Sequence, residues 1–362
     1  MTRAKILAAR AGAAERAVRS RHLRGVWGLP GTALGAARWP VDWRGRVHLR
    51  FGYWWQAHLL DCLVDAQLRA PDEGRQRLLR RLVRGIRVRN LTGWTNEYYD
   101  DMAWLGLALH RAAGVGVGRP AAVATIADRL RGAWTDDAGG GIWWKRHDDF
   151  KNVPANGPAA ILLARLAAHG GDAADLDRAR STVDWIEEHL LDPDTGLLWD
   201  GLHVGPDGSI REVEKNLYTY CQGVVLGACV EIAQAGGGAV WSDRAARIIT
   251  AVDAHLAVDG VLRGHGGGDG GLFSGILARY LAQAALRLDR PETARAAELV
   301  LSSAHAAWAN RTAVVAGPLF GPDWAEPAAR PDATAPEGDL SVQLGAWMAL
   351  EAAALLERGP AR

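Results

Sequence analysis

Glu97-Tyr98-Tyr99-Asp100-Asp101-Met102-Ala103-Trp104-Leu105-Gly106-Leu107-Ala108-Leu109 is the stretch on which the fold turns. Apolar residues follow the two acids at three and four spacing, the period of a helix. The pair therefore falls at the mouth of that helix. Adjacent carboxylates repel, and burying either costs free energy unless something compensates. Aromatic residues flank the pair on both sides, the setting a sugar-cleaving site requires.

The same helical period recurs along the chain. It predicts helices near 51–69, 74–89, 98–113, 119–134, 156–169, 175–191, 216–235, 241–256, 272–287, 291–308 and 339–357, with another in the first twenty residues. Gly-, Pro- and Asp-rich turns separate them, as at Asp192-Pro193-Asp194-Thr195-Gly196 and from Gly264 to Gly271. Short extended pieces are expected at Gly141-Ile142-Trp143-Trp144 and Leu197-Leu198-Trp199. The Pro-rich stretch from Pro318 to Pro336 reads as a long loop. About twelve helices, with tight turns alternating with Gly- and Trp-rich loops, imply one functional face. The expected class is all-α, a closed (α/α)6 barrel or toroid of six helical hairpins. It forms a single domain over 1–362, with residues 1–24 as a peripheral N-terminal extension.

Composition narrows the function. With 42 basic and 41 acidic residues the net charge is +1, which gives no support for a nucleic-acid binder. The arginines between Arg75 and Arg89 read as the solvated face of an amphipathic helix, with an anion-binding surface as the alternative. Cys62, Cys221 and Cys229 make no disulfide framework or zinc motif. His48, His58, His110, His147, His203 and His265 lack metal-ligand spacing, so neither metal nor cofactor is expected. No secretory signal is visible and no segment reaches the length of a membrane span, so the expected location is cytoplasmic. Export without a visible signal is left open. Sixteen Trp against four Phe is the compositional outlier. Trp offers a flat apolar face on which sugar C–H groups stack.

For the acid pair, helix capping and catalysis carry similar weight. Other polar residues fall where a site would want them: Asn152 and Asn156, Tyr218 and Gln222 at the start of an apolar helix, and Asp269 on a glycine loop. Asn156 reads as a helix N-cap.

Taken together, Tyr53-Trp54-Trp55-Gln56-Ala57-His58, Tyr99-Asp100-Asp101-Met102-Ala103-Trp104, Gly140-Gly141-Ile142-Trp143-Trp144, Lys151-Asn152 with Asn156, Gln222-Gly223 and Phe273-Ser274-Gly275-Ile276 resemble glycoside hydrolase family 76. The family comprises endo-α-1,6-mannanases of bacteria and related fungal cell-wall proteins. The resemblance implies an (α/α)6 barrel and retaining hydrolysis of α-1,6-linked mannose in mannan or lipomannan-type glycans. It makes Asp100 the nucleophile and Asp101 the acid/base. It also makes Trp143, Trp144, Asn152, Tyr218 and Gln222 candidates for the subsites, and Tyr99, Trp54 and Asp269 complete the substrate-binding candidates. The expected partner is an α-1,6-linked mannose oligosaccharide or polysaccharide. One departure is visible: Cys221 stands where the family carries Asn. The rival readings are a mannan transglycosylase on the same scaffold and a catalytically inactive carbohydrate-binding toroid.

Overall fold

The computed structural model describes residues 2–91, 93–330 and 338–359. Thirteen helices appear among them: α1 Arg3–His22, α2 Trp43–Arg46, α3 Tyr53–Arg69, α4 Glu73–Arg89, α5 Tyr99–Ala113, α6 Pro120–Arg131, α7 Val153–Ala168, α8 Ala173–Leu190, α9 Thr219–Ile232, α10 Ala239–His255, α11 Gly270–Arg287, α12 Glu292–Ala309 and α13 Leu340–Arg358. Each helix the periodicity predicts is present, with ends shifted by a few residues.

Helices α3, α5, α7, α9, α11 and α13 pack each against the next, and α13 returns to α3. This closes an inner ring. Outer helices α4, α6, α8, α10 and α12 lie against the ring helix that precedes each of them. The sixth outer place is taken by α1, which packs on α13 and buries Leu7, Ala11, Ala14 and Val18. Residues 3–22 thus occupy an outer-ring place, because α1 has an apolar stripe that α13 covers.

Burial explains the two rings. Helix α4 hides Leu78, Leu79, Leu82, Val83 and Ile86, buries Arg75 against Glu15 and turns Arg77, Arg80, Arg81, Arg84 and Arg87 outward, as the period requires of an outer helix. Helix α9 is apolar all round and almost wholly buried, the pattern of a helix with neighbours on every side. Glycine lets the ring close tightly: a Cβ on Gly275 of α11 would fall 2.5 Å from the Gly345 carbonyl oxygen of α13.

All six ring helices start at the same end of the barrel, and their long loops gather there. One loop cluster forms a three-stranded antiparallel sheet, Phe150–Asn152 beside Gly201–Val204 beside Ile210–Glu214. No alternating pattern long enough to foretell it exists in the sequence. Within the Pro318–Pro336 stretch, Gly317–Leu319 pairs with Thr312–Val314, and its last residues lie outside those described. The opposite end is closed by charge. Arg111 and Arg279 both pair with Asp61 and Asp65, Arg165 and Arg287 pair with Glu231, and Arg69 pairs with Glu351.

Candidate active site

A cavity of about 270 Å³ opens at the N-terminal ends of the ring helices. Trp54, Trp104, Trp144, Phe150, Tyr220 and Phe273 supply its aromatic wall, and Asp100, Asp200, Asp269 and Asn152 its polar groups. Tyr220 and Phe273 stack with centroids 3.9 Å apart. Behind the wall, the buried His58 ring lies 4.6 Å from Trp104.

Asp100 and Asp101 occupy the first turn of α5, where Tyr98, not either acid, is the N-cap residue. Asp100 Oδ1 accepts the Asp101 backbone N–H at 2.8 Å, and Oδ2 accepts the Trp144 indole N–H at 3.0 Å. Asp101 is not itself among the residues lining the cavity; its Oδ2 accepts from Asn96 Nδ2 at 2.6 Å, and its carboxyl also accepts the backbone N–H of Trp54, which does line it. The Asn96 amide is oriented by its other end, which accepts the Tyr98 N–H at 2.9 Å. Burial raises the Asp100 carboxyl to about 7, against the pull of the Asp101 N–H, the Trp144 indole and its own backbone N–H. Burial, then the Asp100 charge, hold Asp101 well above the usual carboxylate range. With no cation among these causes, the pair favours sharing one proton, and it titrates as a unit.

Trp144 is delivered by the loop after α6. The Trp144 carbonyl accepts the Tyr99 N–H at 2.8 Å, and its own N–H donates to the Phe150 carbonyl at 2.8 Å. Gly140 and Gly141 lie at φ of 140° and 78°, backbone that only glycine adopts without strain, and Trp185 packs against both. Buried Lys151 fastens this loop. Its Nζ donates to the Asp137 and Gly140 carbonyls at 2.6 Å and lies 4.6 Å from the Trp143 ring centroid.

Across the cavity, Asp269 Oδ1 accepts from the indoles of Trp54 and Trp55 at 3.0 and 2.7 Å. Asp200 follows the extended Leu197–Trp199 piece. Burial first, and Glu214 second, raise it to about 6. The Cys221 thiol donates to Asp200 Oδ1 at 3.6 Å, so the position that departs from the family pattern faces a cavity carboxylate.

Of the candidates named from sequence, Trp54, Asp100, Trp144, Asn152 and Asp269 line the cavity. Gln222 does not reach it. Fully buried, it spends its amide on the Leu198 N–H and carbonyl and the Tyr218 carbonyl, which pins the loop carrying Asp200. Trp143 lies under Lys151, and Tyr218 stands behind Phe273, 5.4 Å between centroids. Tyr99 is half-buried on α5 and does not line the wall. The two asparagines exchange roles: Asn152 is the N-cap of α7, accepting from the Ala155 N–H at 3.1 Å. Asn156, one turn inside, clamps the Ile142 N–H and carbonyl at 2.8 and 2.9 Å. The helix starts three residues before its first long apolar run, because Pro154 fits the opening turn.

Tyr220, Phe150, Asp200 and the supporting Asn96 were not singled out in the sequence. Tyr220, the second residue of α9, and Phe273, one turn into α11, could have been found near the starts of their helices. For Asp200 no local pattern exists.

The sequence profile of glycosyl hydrolase family 76 matches residues 15–360. Among solved structures, the chain resembles an alpha-1,6-mannanase of Salegentibacter, with 33% identity, a TM-score of 0.86 and coverage of 97% of this chain and 99% of that one. An inactive variant of the same mannanase, with two consecutive aspartates changed to asparagine and alpha-1,6-mannotriose bound, aligns at 32% identity and a TM-score of 0.85, again over 97% and 99% of the chains. A mannan endo-1,6-alpha-mannosidase of Candida glabrata is 27% identical over 214 residues, 53% of this chain and 48% of its own length. The chain thus spans between 33% and 48% of the length of the curated relatives it matches.

Proposed function

The chain belongs to glycosyl hydrolase family 76, and from that premise we propose that it cleaves α-1,6-mannosidic linkages by double displacement on Asp100 and Asp101. The observation that carries this reading is the cavity itself. The sequence holds three Asp-Asp pairs, at 100–101, 136–137 and 148–149, and only the first contributes a carboxylate to the aromatic cavity. The mannanase that this chain resembles is inactive, in the variant described above, once two consecutive aspartates are replaced.

Burial and charge divide the labour. Both oxygens of Asp100 accept donors, which favours the ionised form. Asp101 also accepts donors, from Asn96 and the Trp54 backbone N–H, yet burial and the Asp100 charge hold its carboxyl well above the usual range, so it carries the shared proton. Asp100 therefore attacks the anomeric carbon while Asp101 protonates the departing glycosidic oxygen. The carbon–oxygen bond breaks and a mannosyl ester forms on Asp100. Water then gives its proton to Asp101 and attacks the same carbon, releasing Asp100. Carboxyl groups about 5–5.5 Å apart serve this two-step route, whereas inversion needs a wider gap to admit water. Neighbours on one helical turn are suited to the shorter separation. The indole faces of Trp54 and Trp144 would stack on sugar C–H groups.

Incubation with α-1,6-mannotetraose should release shorter oligosaccharides, while α-1,2- and α-1,3-linked mannotetraoses stay intact. An untouched α-1,6 oligomer at high enzyme concentration overturns the proposal.

A further inference from the structure

The arginine run of α4 is not used by this chemistry. Five of its arginines, at 77, 80, 81, 84 and 87, are exposed. A second cavity, of about 290 Å³, is lined by Arg80, Arg81, Arg84, Arg87 and Arg119 around Trp94. No acidic side chain lines it, and among the described residues none of these five guanidinium groups has a carboxylate partner. The arginines at the base of the barrel are paired with acids, whereas this face keeps its positive charge uncompensated, a costly local arrangement.

Apolar side chains border the same face. Trp27, Leu29, Trp43, Val47, Leu49 and Leu91 are between 42% and 82% exposed, and they are six of the eleven large exposed hydrophobics among the described residues. They are joined to α4 directly. Arg89 donates to the His48 carbonyl at 2.9 Å and lies over the Trp27 ring, and Trp27 donates to the Val47 carbonyl at 3.0 Å. Gly31, two residues past Leu29, lies against the Arg84 guanidinium.

We infer that this face binds an anionic lipid membrane surface. Arginines attract the headgroup phosphates, and protruding Trp and Leu enter the boundary with the acyl chains. A nucleic acid would satisfy the arginines but leave Val47, Leu49 and Leu91 in water. No helix among the described residues is long and apolar enough to cross a membrane, so the attachment is peripheral. The face also flanks the catalytic mouth: the Trp94 carbonyl accepts the Tyr53 hydroxyl at 2.8 Å at the head of α3, and the loop after α4 leads into Asp100. A glycan presented from the membrane would then meet the cavity. Only this last consequence rests on the mannosidase reading, and vesicle binding is measured without sugar, so either can fail alone.

The test is co-sedimentation of the full chain with vesicles of phosphatidylglycerol in phosphatidylcholine, against phosphatidylcholine alone, over a salt series. Binding should require phosphatidylglycerol and weaken with salt. Arg80→Ala and Arg84→Ala should each lower partitioning about fivefold. Trp43→Ser and Leu49→Ser should lower it several-fold too, at about the charge of the parent. All four should hydrolyse soluble α-1,6-mannotetraose at the parent rate, which also shows that they are folded. Absence of binding at low salt overturns the inference, as does binding that survives the arginine changes. Full retention in the Trp43 and Leu49 variants, with inorganic polyphosphate bound as tightly as vesicles, would mark a general anion site and overturn the membrane assignment.

Discussion

Asp100 and Glu231 both belong to the inner ring, at opposite ends of the barrel, and their carboxyls are driven in opposite directions. At the mouth, burial raises Asp100 to about 7, and only neutral donors oppose it. At the base, burial also acts to raise Glu231, but Arg165 and Arg287 outweigh it and bring the carboxyl down to about 2. Asp61 follows the same logic, held low by Arg111 and Arg279 in spite of burial. Glu351 is the exception, since burial outweighs its pairing with Arg69 and raises it. Neighbours, more than depth, decide whether a buried acid is a fixed charge or a proton carrier. The mouth lacks the cations that would quench the chemistry, and the base uses them to tie helices together.

The comparison breaks most sharply at the dyad. Asp100→Asn or Asp101→Asn should lower kcat/KM by at least about 10⁴-fold without lowering the thermal midpoint. Retention of activity in either variant would remove that acid from the mechanism. Glu231→Gln should do the reverse. Leaving Arg165 and Arg287 buried without their counter-ion costs about 3–5 kcal/mol in denaturant unfolding, while turnover per folded molecule stays at the parent value.

The pH dependence of stability sharpens the contrast. Asp100 has a higher pKa folded than unfolded, so the folded chain binds the extra proton between about pH 4 and 7. Stability therefore falls as pH rises through that window, and Asp100→Asn should remove the fall, gaining on the order of 1–3 kcal/mol at pH 8. Glu231 has a lower pKa folded than unfolded. Its contribution is complete above the ordinary glutamate value of 4.5 and is lost as pH falls toward about 2. Urea titrations of the parent and both variants across pH would show slopes of opposite sign.

A smaller effect is expected at Cys221. Replacing the weak thiol donor by an amide, Cys221→Asn, should lower the Asp200 carboxyl from about 6 and change kcat/KM by no more than about tenfold, the scale of one hydrogen bond. A kcat/KM profile with an unchanged acidic limb would mean that Asp200 does not titrate in catalysis.

Much of the ring was legible beforehand because its helices obey a single period, and because tight and long connections alternate. Asp100 was legible as a candidate: paired acids among aromatics left helix capping and catalysis at similar weight, and the family resemblance favoured catalysis. The contribution of α1 was harder to see, since its alternating Arg and Ala give only a weak apolar stripe. Phe150 opens a three-residue strand and Asp200 immediately precedes a four-residue one, both held by pairing between loops distant in sequence. Gln222 misled for a physical reason: a polar group inside an apolar helix must be satisfied, and loop backbone satisfies it as well as a sugar does.

The most direct measurement is proton NMR of α-1,6-mannotetraose during the first turnovers, before mutarotation mixes the anomers. Double displacement through Asp100 predicts that the α-anomer appears first, with the β-anomer growing in later. A β-anomer appearing first would mean single displacement by water and would contradict the assignment of Asp100 as nucleophile.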